Sequence, residues 1–216
     1  MFSLGGRGST SLTRQTGKWS GSLGGKIPES LKEAIGPKGS PNSIAESVVK
    51  TNPLWNASYR EFSENCQRCV VAYELNRRGY DVTALPTYKG DILPKIAHYN
   101  PKSGTFEGRW KGAFRNAKTV NVGAKTEDGA IANIEKAMKS YGSGSRAVVQ
   151  IFYKSGGGHV FNVENQRGRI VYVEAQTGKM KSIERTMSSV DSRYVNLVRT
   201  DNLKLSDRAR NFVTRR

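Results

Sequence analysis

The sequence predicts an α+β fold. Three observations carry that reading: an early helical run closed by a glycine, a second helical run later, and a succession of β-branched segments parted by Gly-rich turns. The early run spans 66–78, with apolar residues at helical spacing and Gly79 as its stop. A strand over 80–85 ends at Pro86. Residues 87–125 are turn-rich and basic, with Trp110 and Phe114 as hydrophobic anchors. The second helix covers 128–141, where Ile131, Ile134, Ala137 and Met138 recur on one face. Strands over 146–153, 159–165, 170–176 and 194–199 follow. A leading helix followed by mostly antiparallel strands is the α+β pattern.

Ahead of the first long helix, residues 1–51 read as a basic, largely irregular arm rich in Gly, Ser and Pro. Short helical stretches fit 28–35 and 43–50, the first with proline at its start. Residues 52–205 read as the folded domain, and 206–216 as a basic C-terminal tail or closing helix.

Charge is the strongest bulk signal. The 216-residue chain carries a formal +17, with 36% hydrophobic residues. Such a chain is drawn to polyanions, so nucleic acid is a candidate partner through the arm. No apolar run reaches the length of a membrane span. The opening residues Met1 to Arg7 lack an apolar core, so no signal peptide is expected. Two cysteines make no disulfide scaffold, and a reducing compartment is expected.

Those cysteines carry the chemistry. Cys66 falls in the first turn of the predicted helix, among unpaired N–H groups and the positive end of the dipole. That setting favours thiolate, the nucleophilic form. Cys69, one turn on beside Val70 and Tyr73, reads as packing. The Cys-x-x-Cys spacing also fits a redox pair, but the segment before it, Tyr59 to Phe62, makes a poor strand for such a motif. Zinc would need Cys66, Cys69, His98 and His159, and the two histidines lack ligand-pair spacing, so no metal is assigned. The Gly156-Gly157-Gly158 turn joins two strands and lacks the ending of a phosphate loop.

A hairpin places the histidine. With Arg167-Gly168 as a two-residue turn, Gln166 faces Arg169 and His159 lies across from Gln176. Phe161, Tyr172 and Glu174 then share the side of His159. Glu174 and Gln176 become candidates for orienting the imidazole, which a general base requires.

Two groups of residues also resemble a known family. Asn65-Cys66-Gln67-Arg68-Cys69-Val70, with Tyr73-Glu74 and Arg78-Gly79-Tyr80-Asp81-Val82-Thr83-Ala84, is similar to the opening of the papain-like fold toxins of glutamine deamidase type. Gly158-His159-Val160-Phe161 and Val173-Glu174-Ala175-Gln176-Thr177-Gly178 resemble that family's second half. The resemblance covers roughly 52–205. It implies a papain-like domain with its catalytic helix packed on a mostly antiparallel sheet. It also implies a Cys–His–acid triad of Cys66, His159 and Glu174, the last standing where the family usually has Asp. Gln176, Asn65 and Gln67 are its orienting or oxyanion candidates. The implied activity is a cysteine hydrolase acting on protein, a glutamine deamidase or (iso)peptidase, with no cofactor. Relatives of this kind occur in phage proteins and bacterial toxins. The implied locations are therefore the bacterial cytoplasm, a virion or a target cell, with a phage particle or an immunity protein as partner. Two other functions remain open: a structural virion component with a degenerate cysteine site, and a charge-driven nucleic-acid binder.

Overall fold

The computed structural model describes residues 27–91, 93, 99–100, 105–106, 108–179 and 182–216. Its helices are α1 (Leu31–Ile35), α2 (Ile44–Thr51), α3 (Arg60–Ser63), α4 (Cys66–Arg77), α5 (Glu127–Tyr141) and α6 (Ile183–Met187). Its strands are β1 (Val82–Ala84), β2 (Tyr99–Asn100), β3 (Thr105–Phe106), β4 (Val120–Asn121), β5 (Arg146–Phe152), β6 (Gly158–Gln166), β7 (Arg169–Val173), β8 (Asn196–Arg199) and β9 (Val213–Arg215). His98 lies outside the described residues, as do residues 1–26 of the expected arm.

The main sheet has the order β4-β8-β5-β6-β7, and every pairing in it is antiparallel. The β6–β7 hairpin has the register read from the sequence: Gln166 faces Arg169. Arg167 and Gly168 both take positive φ, 56° and 91°, as a tight two-residue turn requires. Alternation along the strands then sorts the core into two layers. Val148, Val160 and Val198 pack with α4. Val149, Phe161, Val163 and Leu197 pack with Ala130, Ile134 and Met138 of α5 and with Ile183 and Met187 of α6. The periodic face expected of α5 is the one that meets the sheet.

Helix α4 is different, because every residue from Cys66 to Asn76 is buried. A helix enclosed on all sides shows no clean apolar stripe. Its polar residues must instead find partners inside. Asn162 of β6 donates to the carbonyl of Val70 at 3.3 Å. Glu164 of β6 takes Tyr73 Oη at 2.6 Å and Arg77 Nε at 2.7 Å. Arg68 is paired with Asp91, both side chains almost wholly buried. These ties run up α4 and β6 together, from Val70 at Asn162 to Arg77 at Glu164. The first residue of α4 therefore comes level with the start of β6.

The chain ends depart from the simplest expectation. Much of 27–51 is ordered onto the domain. Ala34 and Ile35 join the core around α4, and Ile44 and Val48 pack beside Tyr73. Ser43 and Glu46 form a full capping box that starts α2. Gly79 sits at φ 98°, and a Cβ there would fall 2.3 Å from the Gly39 carbonyl oxygen. A glycine is required at 79 on both counts. Residues 206–216 form no α-helix. A short 3-10 turn over Asp207–Asn211 leads into β9, which pairs antiparallel with β1. No helix among the described residues is long and apolar enough to cross a membrane.

Candidate active site

Cys66 opens α4 and Asn65 is its N-cap residue. Asparagine in that position ordinarily caps with its side chain. Here it makes no such bond. Only its backbone carbonyl serves the helix, accepting from Arg68 N at 2.8 Å and Cys69 N at 3.1 Å. The N–H groups of Cys66 and Gln67 are left at the helix tip without a side-chain cap. Cys66 is thus the first residue of the helix, at the positive end of its dipole.

His159 stands at the start of β6, facing Ile151 across the β5–β6 pair. Its Nε2 lies 2.6 Å from Glu174 Oε2. Cys66 lies close enough for its side chain to act on the same imidazole. On its far edge the ring stacks on Phe161, 6.3 Å between centroids. Glu174 comes one residue after β7 ends. Its second oxygen, Oε1, accepts the backbone N–H of Gln176 at 3.2 Å. The structure thus brings Cys66, His159 and Glu174 into one neighbourhood, with a direct side-chain contact between His159 and Glu174. The extra methylene of Glu174 does not keep its carboxylate from the ring.

Electrostatics follow from that line. Burial alone pulls the His159 imidazole down. The Glu174 charge opposes this, and hydrogen bonds from Cys66 and Glu174 add to it, so His159 ends well above its ordinary value. A raised imidazole holds its proton more readily, and the protonated ring donates from both nitrogens. The folded value is raised above the unfolded one, which sets the sign of the pH dependence. The stabilisation is fully present below about pH 6.5 and is lost as pH rises through the raised folded value. A His159→Gln variant should accordingly trail the wild type most at low pH and close the gap as pH rises. Urea midpoints taken across that window check this, and a gap that widens with pH would contradict it.

Cys69 is a different thiol. It is 1% exposed, and its Sγ donates to Asn65 Oδ1 at 3.3 Å. Burial pushes it well above the usual thiol range, and the nearby Cys66 and Glu174 charges push the same way. It stays protonated, in the packing role expected for it.

The three amide candidates are placed as follows. Gln67 accepts from Trp110 N at 3.0 Å and donates to the carbonyl of Leu93. Asn65 donates to Asn52 Oδ1 and to the Leu85 carbonyl, both at 3.3 Å. Gln176 donates to the Ser63 carbonyl at 2.9 Å and to Asn65 Oδ1 at 3.3 Å. None of these recorded amide bonds goes to His159. The strand pairing stops at Asn162–Val173, so Gln176 never takes its place across from the imidazole. It meets the site through its backbone N–H.

One residue escaped the sequence reading. Tyr153 follows β5, at the lip of the glycine turn, where its N–H bonds the Gly157 carbonyl at 3.1 Å. Burial raises its phenol; the charge on His159 opposes, and those on Glu174 and Cys66 reinforce. Tyr153 therefore lies in the neighbourhood of His159, Glu174 and Cys66, and its phenol is raised. A lone tyrosine before Ser155-Gly156-Gly157-Gly158 carries no spacing signal that would have marked it.

Comparison with known proteins adds one finding. The family model described as papain fold toxin 1, glutamine deamidase, matches residues 64–179, more than half of the chain. The match takes in Cys66, His159 and Glu174. No curated protein and no solved structure matches.

Proposed function

Since the chain belongs to the papain fold toxin 1, glutamine deamidase family, we propose that it is a cysteine hydrolase that converts a glutamine side chain of a protein to glutamate. One observation carries this reading above the others: Cys66 acts on the His159 imidazole, and Glu174 Oε2 lies 2.6 Å from its Nε2. Nucleophile, base and orienting acid need that order.

The chemistry runs through the side chains in place. The Cys66 sulfur adds to the carboxamide carbon, and the carbonyl electrons move onto oxygen. In this reading the N–H of Cys66 at the helix tip donates to that oxyanion. As the intermediate collapses, the C–N bond breaks and the His159 imidazolium gives its proton to the leaving nitrogen, releasing ammonia. Water then attacks the thioester and His159 takes the water's proton. Glutamate is released, and the proton returns to the Cys66–His159 pair. Glu174 holds the ring in register and balances its charge throughout. The protein acted on is one in the cell the toxin enters.

Alkylation tests the reading on the protein alone. Iodoacetamide is expected to modify Cys66 and spare Cys69, with peptide mapping as the readout. Ammonia release from a denatured glutamine-rich protein should fall in proportion to Cys66 modified. Modification of Cys69 first, or full activity after Cys66 is blocked, would sink the proposal. New chain ends in place of ammonia would redirect it to peptide cleavage by the same acyl-enzyme route.

A further inference from the structure

We infer that Asn52 is a positioning residue for the catalytic line, acting on Glu174 through the backbone of Gln176; the inference rests on the hydrolase reading above. The reason lies in where β7 ends. Its last ladder pair is Asn162–Val173, so Glu174, Ala175 and Gln176 leave the sheet just where the carboxylate must be held still. A turn outside a ladder needs other partners for its backbone.

Asn52 supplies them. It is the C-cap residue of α2, and it is 7% exposed. Its Nδ2 donates to the Gln176 carbonyl at 2.9 Å and to the Phe62 carbonyl at 2.9 Å. Its amide also faces the Asn65 amide, with both cross-contacts at 3.3 Å. Gln176 is thereby gripped twice: at its carbonyl by Asn52, and at its side chain by Ser63 and Asn65. Held so, its N–H points at Glu174 Oε1, while Glu174 Oε2 meets His159. Asn65 is at once the N-cap of the Cys66 helix and a member of this cluster. The three amides, each more than nine-tenths buried, therefore lock helix tip and acid-bearing turn to a common block. In a buried polar network each bond is stronger and each loss dearer than in water. Without Asn52, Gln176 is held by its side chain alone, and the N–H on which Glu174 Oε1 depends is no longer fixed from both ends.

The test uses the full chain and needs no known substrate. Asn52→Ala removes the grip, and Asn52→Ser, a gentler change, leaves a hydroxyl too short to span both carbonyls. Thr83→Val is the control. It deletes the bond from Thr83 Oγ1 to the Thr51 carbonyl, next door, without touching Gln176. The readouts are thermal stability, the titration of His159 followed by NMR, and the rate of Cys66 alkylation. Both Asn52 variants should lower the His159 titration enough to cut the imidazolium fraction about tenfold at a fixed pH above it. Cys66 alkylation should slow by a similar factor. Thr83→Val should lower stability alone. Titration unchanged in a folded Asn52 variant, an equal shift in Thr83→Val, or failure of both Asn52 variants to fold would each overturn the inference. The two proposals separate cleanly. If blocking Cys66 leaves ammonia release intact, the hydrolase reading fails. If Cys66 is required but Asn52 variants titrate like the parent, only the positioning role fails.

Discussion

Cys66→Ala should reduce deamidation by on the order of 10⁶-fold while leaving the fold intact. The size of the effect comes from covalent chemistry. Without sulfur there is no thioester, and water must attack an unactivated carboxamide directly. The fold should tolerate the change because Cys66 adds only a small side chain to the edge of the core around α4. Cys66 and His159 act as one unit. The double variant Cys66→Ala/His159→Ala should therefore lose little more than Cys66→Ala alone. Strict additivity of the two losses would mean that the two side chains do not work on the same step. Ammonia release measured on matched, folded variants decides the point.

The largest effect on stability belongs to a residue that takes no part in the chemistry. Glu74→Gln should lower unfolding free energy by about 3–5 kcal/mol. Glu74 has no exposed surface. Its carboxylate takes Arg78 Nε at 2.8 Å, Arg146 Nε at 2.9 Å and Thr200 Oγ1 at 3.2 Å. Burial works against the Arg146 charge, and the Glu74 carboxylate more than restores it. Glutamine keeps the shape but removes the charge, leaving two guanidinium groups, each about 15% exposed, without their counter-ion. Domains of this size hold together by about 5–15 kcal/mol, so the loss should be evident in urea unfolding. Glu64→Gln is the contrast. Its partner Arg60 is 81% exposed, and breaking that pair should leave the midpoint where it was.

The pairing of β6 with β7 was legible in the sequence. The register of β6 and β7 follows from a turn that only two positive-φ residues can make. Once it is set, His159 and Glu174 must come together. Cys66 was legible because the helix that begins there has an evident stop at Gly79. What stayed hidden has physical causes. The enclosure of α4 erased the periodicity that would have told which side it buries. The end of β7 at Val173 has no marker, since Val173, Glu174 and Ala175 all suit a strand equally well. The amide cluster joins positions 52, 65 and 176, which no spacing rule connects. Asn65 was an oxyanion candidate, whereas its side chain is spent on tertiary links. The packing of 27–51 was masked by its glycines and charge, although the capping box at Ser43 and Glu46 was there to be read.

The pairing of β1 with β9 sets an order of assembly. Val82 and Ala84 lie close behind the Cys66 helix in sequence, yet their partners, Arg215 and Val213, lie far downstream. Phe212 and Val213 belong to the same apolar cluster as Cys69 and Val70. A contact that joins such distant positions forms late, because a long loop must close before it repays the entropy. While the chain is still growing on the ribosome, the nucleophile is thus already made but its housing is not. The reactive geometry can complete itself only after β9 has emerged and docked.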